Sequence, residues 1–233
     1  METNIVYQED CIEGMKKIPD NSIDLVLTDP PYSLNKEGIE NDDSLWGYEL
    51  DFYRVLKDDC WMCTYCSIGK VAEVIKILEA NGFKYVWQHI TYINNGMVRG
   101  RLGFNRYMLC LIFAKGEPKL KSIITDVYEC STSSQQRHRN PHPTPKKVLA
   151  IKNLIQAFSK EGQLVLDPFM GSGTTAIACK QIDREYIGFE ISPQYIKIIN
   201  KRLAQSTVSD FTSPNGDSVS QKDLICIKEE NQK

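Results

Sequence analysis

What the chain lacks narrows its class first. No apolar run in its 233 residues approaches the ~18 expected of a membrane-spanning helix. The opening residues, METNIVYQED, are acidic and carry no hydrophobic leader region, so the expectation is a cytoplasmic protein with no membrane partner. A disulfide framework is not expected in such a chain, although it holds eight cysteines. Histidine is scarce, with three residues in all. Cys60, Cys63 and Cys66 have C-x2-C-x2-C spacing, but zinc sites usually take four ligands and no further His or Cys stands close by in sequence. The stretch DDCWMCTYCSIG reads instead as a buried strand in which Cys serves as a small hydrophobe, so no metal is expected. No internal repeat and no clean domain boundary is visible.

An overall positive charge is lacking too. The net charge is −2, which speaks against a nucleic-acid partner until its distribution is considered. Between Lys84 and Lys147 stand eleven Lys/Arg against three Asp/Glu, and all three histidines fall in the same segment. The rest of the chain is strongly acidic. A basic face on an acidic body is an electrostatic footprint for a polyanion. Composition is otherwise ordinary, 42% hydrophobic and 25% charged, and the length allows one substantial core.

Strand and helix signals alternate. Strands are expected at 4–10, 23–29, 60–67, 83–93, 106–116, 163–167 and 185–190. Helices are expected at 11–18, 48–59, 69–82, 148–159, from about 174, and 192–205. IDLVLTD (23–29) is almost continuously apolar, as a strand covered on both faces should be. Residues 33–47 and 94–105 read as loops, 117–147 shows little periodicity, and 206–233 reads as a polar tail with a last edge strand at 224–228. This alternation predicts an α/β domain over 1–205 with a mainly parallel sheet flanked by helices.

Four acids share one address. Asp10, Asp29, Asp167 and Glu190 each end an expected strand. In open α/β sheets ligands sit beyond the carboxyl ends of the strands, so these acids are expected around one crevice. The plainer reading of each is a cap on the helix that follows. DPFMGSGTT (167–175) adds a glycine turn between a strand and a helix, where absent Cβ atoms allow close approach of a ligand. It lacks the lysine of a phosphate-binding loop and the third glycine of the dinucleotide fingerprint. A nucleoside without a pyrophosphate is therefore expected, with Glu190 placed to hold ribose hydroxyls.

Together with TDPPY (28–32), these motifs resemble the amino-methylating DNA methyltransferases of the β class, which have the class I S-adenosylmethionine-dependent fold. The order carries the resemblance: DPPY first, then PHPTPKK (141–147) as the counterpart of the family's HPTQKP, then DPFMGSGTT and GFEISPQY. Pro145 stands in place of the family's Gln, and Lys147 in place of its second Pro. The resemblance implies S-adenosylmethionine as cofactor and double-stranded DNA as substrate. It places Asp10, Asp167, Pro168, Phe169, Gly171, Ser172, Gly173, Thr174, Glu190, His142, Thr144 and Lys146 around the cofactor.

Asp29, Pro30, Pro31 and Tyr32 would be the catalytic group. A base amine is a poor nucleophile because its lone pair is delocalised into the ring. Asp29 and the Pro30 carbonyl would each accept one of its N–H bonds, the fixed φ angles of the prolines would hold that carbonyl still, and Tyr32 would stack on a flipped-out base. The resemblance implies adenine N6 first and leaves cytosine N4 open. An RNA amino-methyltransferase, an inactive nucleic-acid binder of the same fold and an α/β protein with another nucleoside ligand also remain open. Arg99, Arg101, Arg106, Arg137 and Arg139 are the candidate DNA contacts, on recognition segments within about 94–140. Such short segments suggest a short site or a homodimer, and a cognate restriction enzyme is a further expected partner.

Overall fold

The computed structural model describes residues 1–31, 49–95, 98–99, 103–131 and 147–205. In chain order its elements are β1 (Ile5–Tyr7), α1 (Cys11–Met15), β2 (Ile23–Thr28), α2 (Glu49–Val55), β3 (Leu56–Cys66), a 3-10 turn (Ile68–Lys70) running into α3 (Val71–Ala80), and β4 (Lys84–Ile93). Then come β5 (Val98–Arg99), β6 (Phe104–Asn105), β7 (Tyr107–Lys115), β8 (Val127–Cys130), α4 (Val148–Phe158), β9 (Leu164–Asp167), α5 (Thr174–Gln181), β10 (Glu185–Phe189) and α6 (Pro193–Gln205).

Eight strands form one sheet in the order β1-β10-β9-β2-β3-β7-β4-β8. Every pairing is parallel except the two that β7 makes, with β3 and with β4. The mainly parallel sheet is the one expected from the alternation of elements; its reversed strand, β7, carries no signal in that alternation. β5 and β6 pair separately as a small antiparallel hairpin between β4 and β7.

Side chains alternate across the strands and so feed two cores. On one face Val26, Met62, Leu111 and Phe113 meet Met15, Phe52, Val74 and Leu78 of the first three helices. On the other, Leu25, Leu27, Cys63 and Ile112 meet Leu154 and Ile155 of α4, Ala176 of α5 and Ile199 of α6. β2 is buried along its whole length, which is why its sequence shows no polar alternation beyond Asp24. The alternation also separates the three closely spaced cysteines. Cys63 packs into the second core and Cys60 and Cys66 against the first, so they do not converge on one point. Among the described residues no group of three His, Cys, Asp or Glu is placed to hold a metal ion. No helix of the described residues is long and apolar enough to cross a membrane.

The structure corrects several expected boundaries. The helix expected over 48–59 ends at Val55, and β3 begins at once at Leu56 rather than at Cys60. The cause lies far away in sequence. Lys115, at the end of β7, donates to the Tyr53 carbonyl at 2.9 Å, the Leu56 carbonyl at 2.7 Å and Asn21 Oδ1 at 2.8 Å. A buried ammonium thus caps the end of α2 and allows Leu56 to pair with Ile23. β8 was not expected, because its four residues leave Val127 and Glu129 exposed and carry no periodic signal. β1 covers only Ile5–Tyr7 of the strand expected at 4–10, and α1 stops at Met15 rather than running to 18. The expected loop at 33–47 and the tail at 206–233 lie outside the described residues.

Removing the Lys115 ammonium leaves the buried Leu56 carbonyl and the part-buried Tyr53 carbonyl without their donor. Lys115→Ala is expected to lower stability by about 2–4 kcal/mol. Urea unfolding of the variant against the parent measures this, and equal midpoints would show that α2 ends without help from Lys115.

Candidate functional site

The strand order creates the site. The chain leaves β9 for β10 on one side and leaves β2 for β3 on the other, while β2 and β9 are themselves paired. The connections diverge between these two strands, which opens a crevice at their carboxyl ends. Asp29 follows β2 there, and Asp167 ends β9 beside it. Glu190 follows β10, one strand over, and Asp10 lies beyond β1, the next strand out.

Each acid is set by its local sequence. Two successive prolines cannot continue the ladder, so β2 stops at Thr28 and leaves Asp29 half-buried, Pro30 buried and Pro31 exposed. Asp167 is buried. Its Oδ2 accepts the Thr175 hydroxyl at 2.6 Å and its Oδ1 accepts the Phe169 N–H at 3.1 Å. Pro168 is buried and Phe169 half-buried at the start of the turn that follows.

That turn is knotted by its own backbone. The Met170 N–H donates to the Phe189 carbonyl at 2.9 Å, and the Gly173 N–H to the Met170 carbonyl at 2.9 Å. Gly173 has φ +82°, and a Cβ there would also stand 2.9 Å from Ile199 Cγ1, so glycine is required on both counts. Thr174 then opens α5. Glu190 fastens the turn from outside: Oε2 accepts the Gly171 N–H at 2.8 Å and Oε1 accepts the Ser192 N–H at 2.8 Å. Its own N–H donates to the Tyr7 carbonyl at 3.0 Å and ties the crevice to β1. Asp10 caps α1, its Oδ1 accepting the Ile12 N–H at 2.8 Å, so the plain capping reading describes that bond.

The electrostatics are those of a negative cleft. Burial pushes the Asp167 carboxyl up to about 7, against the hydrogen bonds from Thr175 and Phe169, and the charges of Asp29 and Glu190 push it further in the same direction. Burial also raises Glu190, opposed by the N–H groups of Ser192, Gly171 and Ile191. Converging carboxylates that are buried or half-buried favour a ligand that brings positive charge. Each Glu190 oxygen that accepts one N–H keeps a lone-pair site for a ligand hydroxyl.

Three contributors were missed by sequence reasoning. Thr175 lies inside the glycine motif and was legible only as a helix start. Ser192 lies inside GFEISPQY and supplies one of the two N–H groups that hold Glu190. Arg202, on α6, donates to the Ser172 carbonyl and to Ser172 Oγ at 3.0 Å, holding the turn from behind. No local signal marks it. Arg106 is exposed at the root of the β5–β6 hairpin with its guanidinium 5.0 Å over the Tyr92 ring, at the same edge of the sheet as Asp29, because β4 runs parallel to β2. Arg99 pairs through its backbone with Phe104 in that hairpin. Tyr32, Arg101, Arg137, Arg139, His142, Thr144 and Lys146 lie outside the described residues.

Comparison with known proteins gives this arrangement a family. The model of the N6-N4 DNA methylase family matches residues 23–201, most of the chain. The chain is a member of that family. This methylase is 32% identical over 225 residues to the type II methyltransferase M.HpaI of Haemophilus parainfluenzae, covering 83% of the chain and 72% of the relative. It is 27% identical over 245 residues to the type II methyltransferase M2.LlaDCHI of Lactococcus lactis subsp. cremoris, covering 87% and 90%. Among solved structures, the M1.HpyAVI–SAM complex superposes with a TM-score of 0.71 at 27% identity, covering 85% of the methylase and 98% of that chain. The PvuII cytosine-N4-specific DNA methyltransferase superposes at 0.69 with 19% identity over 97% and 92%, a likeness of fold.

The raised Asp167 carboxyl makes the stability of the ligand-free methylase depend on pH. Between about pH 4 and 7 the folded state keeps a proton that the unfolded state has lost, so stability falls as pH rises through that window and levels off above it. Melting temperatures of the parent and Asp167→Asn across that range are expected to diverge with rising pH, the parent losing more. Parallel curves would show that Asp167 is ionised throughout.

Proposed function

We propose that this DNA methylase transfers a methyl group from S-adenosylmethionine to the exocyclic amine of a base in double-stranded DNA, adenine N6 in the first place. The observation that carries the reading is the meeting of Asp29-Pro30-Pro31 with the Asp167 turn and Glu190 at one crevice between β2 and β9. The donor set fits the cofactor. Glu190 offers acceptors for ribose hydroxyls, the glycine turn leaves room for close approach, and the buried acids favour a cationic ligand. When bound, S-adenosylmethionine supplies an electrophilic methyl group.

The chain's own residues prepare the nucleophile. Asp29 accepts one N–H of the target amine and the Pro30 carbonyl accepts the other, which draws the nitrogen toward tetrahedral geometry and frees its lone pair. The two prolines hold these acceptors without reorganisation. The nitrogen's surplus proton leaves toward the Asp29 carboxylate. The amine is out of reach within a duplex, so the base is flipped out, and stacking on Tyr32, worth ~1–3 kcal/mol, offsets part of the unstacking.

Asp10, Pro168, Phe169, Ser172, Thr174, His142, Thr144 and Lys146 complete the cofactor side of this reading. Arg99, Arg101, Arg106, Arg137 and Arg139, within 94–140, provide the DNA side, where an arginine is more often a phosphate contact than a base contact. The type II relatives support a place beside a cognate restriction enzyme in the cytoplasm of a prokaryotic or phage-infected cell. The short recognition segments support action as a homodimer.

The test is a transfer assay with labelled S-adenosylmethionine and unmethylated DNA, with matched RNA in parallel, followed by digestion to nucleosides. N6-methyladenine in DNA is expected. N4-methylcytosine would correct the base, and label in RNA alone would overturn the substrate. Asp29→Ala is expected to abolish transfer and leave cofactor binding intact, measured by titration. Tyr32→Phe is expected to be mild and Tyr32→Ala severe, and matching rates for the two would remove the stacking role.

A further inference from the structure

One arginine at the site's edge of the sheet is held in a way that the reading above does not use. Tyr92, near the end of β4, pairs with Tyr107 of β7 on one side and with Glu129 of β8 on the other, so its backbone is fixed from both flanks. Its ring is half-buried. Arg106, the residue before Tyr107, is exposed, and its carbonyl accepts the Ile93 N–H at 2.6 Å, which closes the root of the β5–β6 hairpin. The Arg106 guanidinium stands 5.0 Å over the Tyr92 ring.

The ring is not the only partner within the arginine's neighbourhood. Glu129 lies beside Tyr92 in the register of β8 with β4. Its Oε1 accepts the Asn94 side-chain amide at 3.2 Å instead, and among the described residues Arg106 is in no ion pair. A ring attracts a guanidinium through its π-face and occupies none of the five N–H donors, whereas a carboxylate would take one or two of them. Arg106 is thus anchored with its donors available. Lys57, Lys84 and Lys115 differ from it in both respects. They stand at the opposite end of the strands and are paired with Asp24, Glu117 and Asp58.

The place of the pair suits a long polyanion. β2, β3, β7 and β4 are neighbours in that order, and β4 runs parallel to β2. Tyr92 and Arg106 therefore share an edge with Asp29 at a separation of three strands, about 14 Å at ~4.8 Å per strand. That span is about four nucleotides along a DNA strand. The crevice gathers carboxylates, which repel a polyanion, and a fixed cation on its flank offsets that repulsion.

We propose that Tyr92 is a positioning residue for DNA binding: its ring holds the Arg106 guanidinium at the site's edge of the sheet, with its N–H donors set for a backbone phosphate about four nucleotides from the target base. The inference rests on the reading of DNA as the substrate.

The experiment measures the Kd of a fluorescein-labelled unmethylated duplex by anisotropy at several salt concentrations. It uses the full chain and its variants Tyr92→Leu, Tyr92→Phe, Arg106→Ala, Arg106→Lys and the double variant of Tyr92→Leu with Arg106→Ala, with S-adenosylmethionine titration as the check on folding. Arg106→Ala is expected to weaken DNA binding by on the order of tenfold and to lower the salt slope by about one, as loss of a phosphate contact does. Tyr92→Leu is expected to weaken binding roughly two- to fivefold, Tyr92→Phe to bind as the parent does, and the double variant to bind no worse than Arg106→Ala. Arg106→Lys tests the stacking without disturbing the ring: it is expected to keep the salt slope and lose affinity, because an ammonium lacks the planar fork. In transfer assays these losses fall on the DNA KM, not on the cofactor KM.

A Tyr92→Leu Kd equal to the parent's, a Tyr92→Phe loss as large as that of Tyr92→Leu, or a further loss from Tyr92→Leu in the Arg106→Ala background would overturn the inference. Parent affinity in Arg106→Lys would also overturn it. Parent affinity in Arg106→Ala would do the same, and continued methylation of DNA by that variant would leave the reading of the reaction standing. A parent chain that neither binds nor methylates DNA would remove both.

Discussion

The parallel pairing of β2 with β9 is the constraint on which the rest of the molecule depends. Leu25 lies opposite Val165 and Val26 opposite Leu166, all buried, at the centre of the sheet. Burial of apolar side chains on both faces of this pair drives its formation, and the pairing brings together two chain segments that are remote in sequence. Because the connections that leave the two strands diverge, the centre of the core and the mouth of the site are fixed by one contact. Asp29 and Asp167 are neighbours as a consequence of hydrophobic register, not of any attraction between them.

Their mutual charge is in fact unfavourable, and the surrounding chain is arranged to carry it. Thr175 and the Phe169 N–H bond the Asp167 carboxylate, and the Gly171 and Ser192 N–H groups bond Glu190. These bonds stop short of compensating the burial of Asp167, whose carboxyl is still pushed up to about 7. A site left under-neutralised in this way is pre-set for a cationic ligand, since the energy of gathering the acids is recovered when positive charge arrives. The same bonds shape the glycine turn, so stability of the turn and affinity of the cleft share their donors.

Much of this was legible in the residues. IDLVLTD announced a strand buried on both faces, and the double proline announced where it must stop, because that signal is local and steric. The glycine turn and the acid about twenty residues beyond it were legible for the same reason. The end of α2 was not, because the helical spacing of YELDFYRVLKDD continues past Val55 and the group that ends the helix is Lys115, from another strand. β8 was not legible because four residues paired to β4 on one edge need no periodic pattern. Arg202 behind Ser172 carried no signal, since an arginine in a helix reads as solvated until the partner element is known.

By itself the sequence determined the alternation of strands and helices, the positions of Asp29, Asp167 and Glu190 at strand ends, and the division of charge between an acidic body and a basic middle. Each follows from local sterics, periodicity or counting, which do not require knowing what lies alongside. Only the tertiary structure decided which strands are neighbours, and with that which strand ends form a site. It also decided that the cysteines of CWMCTYC face opposite cores. Register between strands is set by the summed packing of both faces of the sheet, a property of the whole core that no single segment carries.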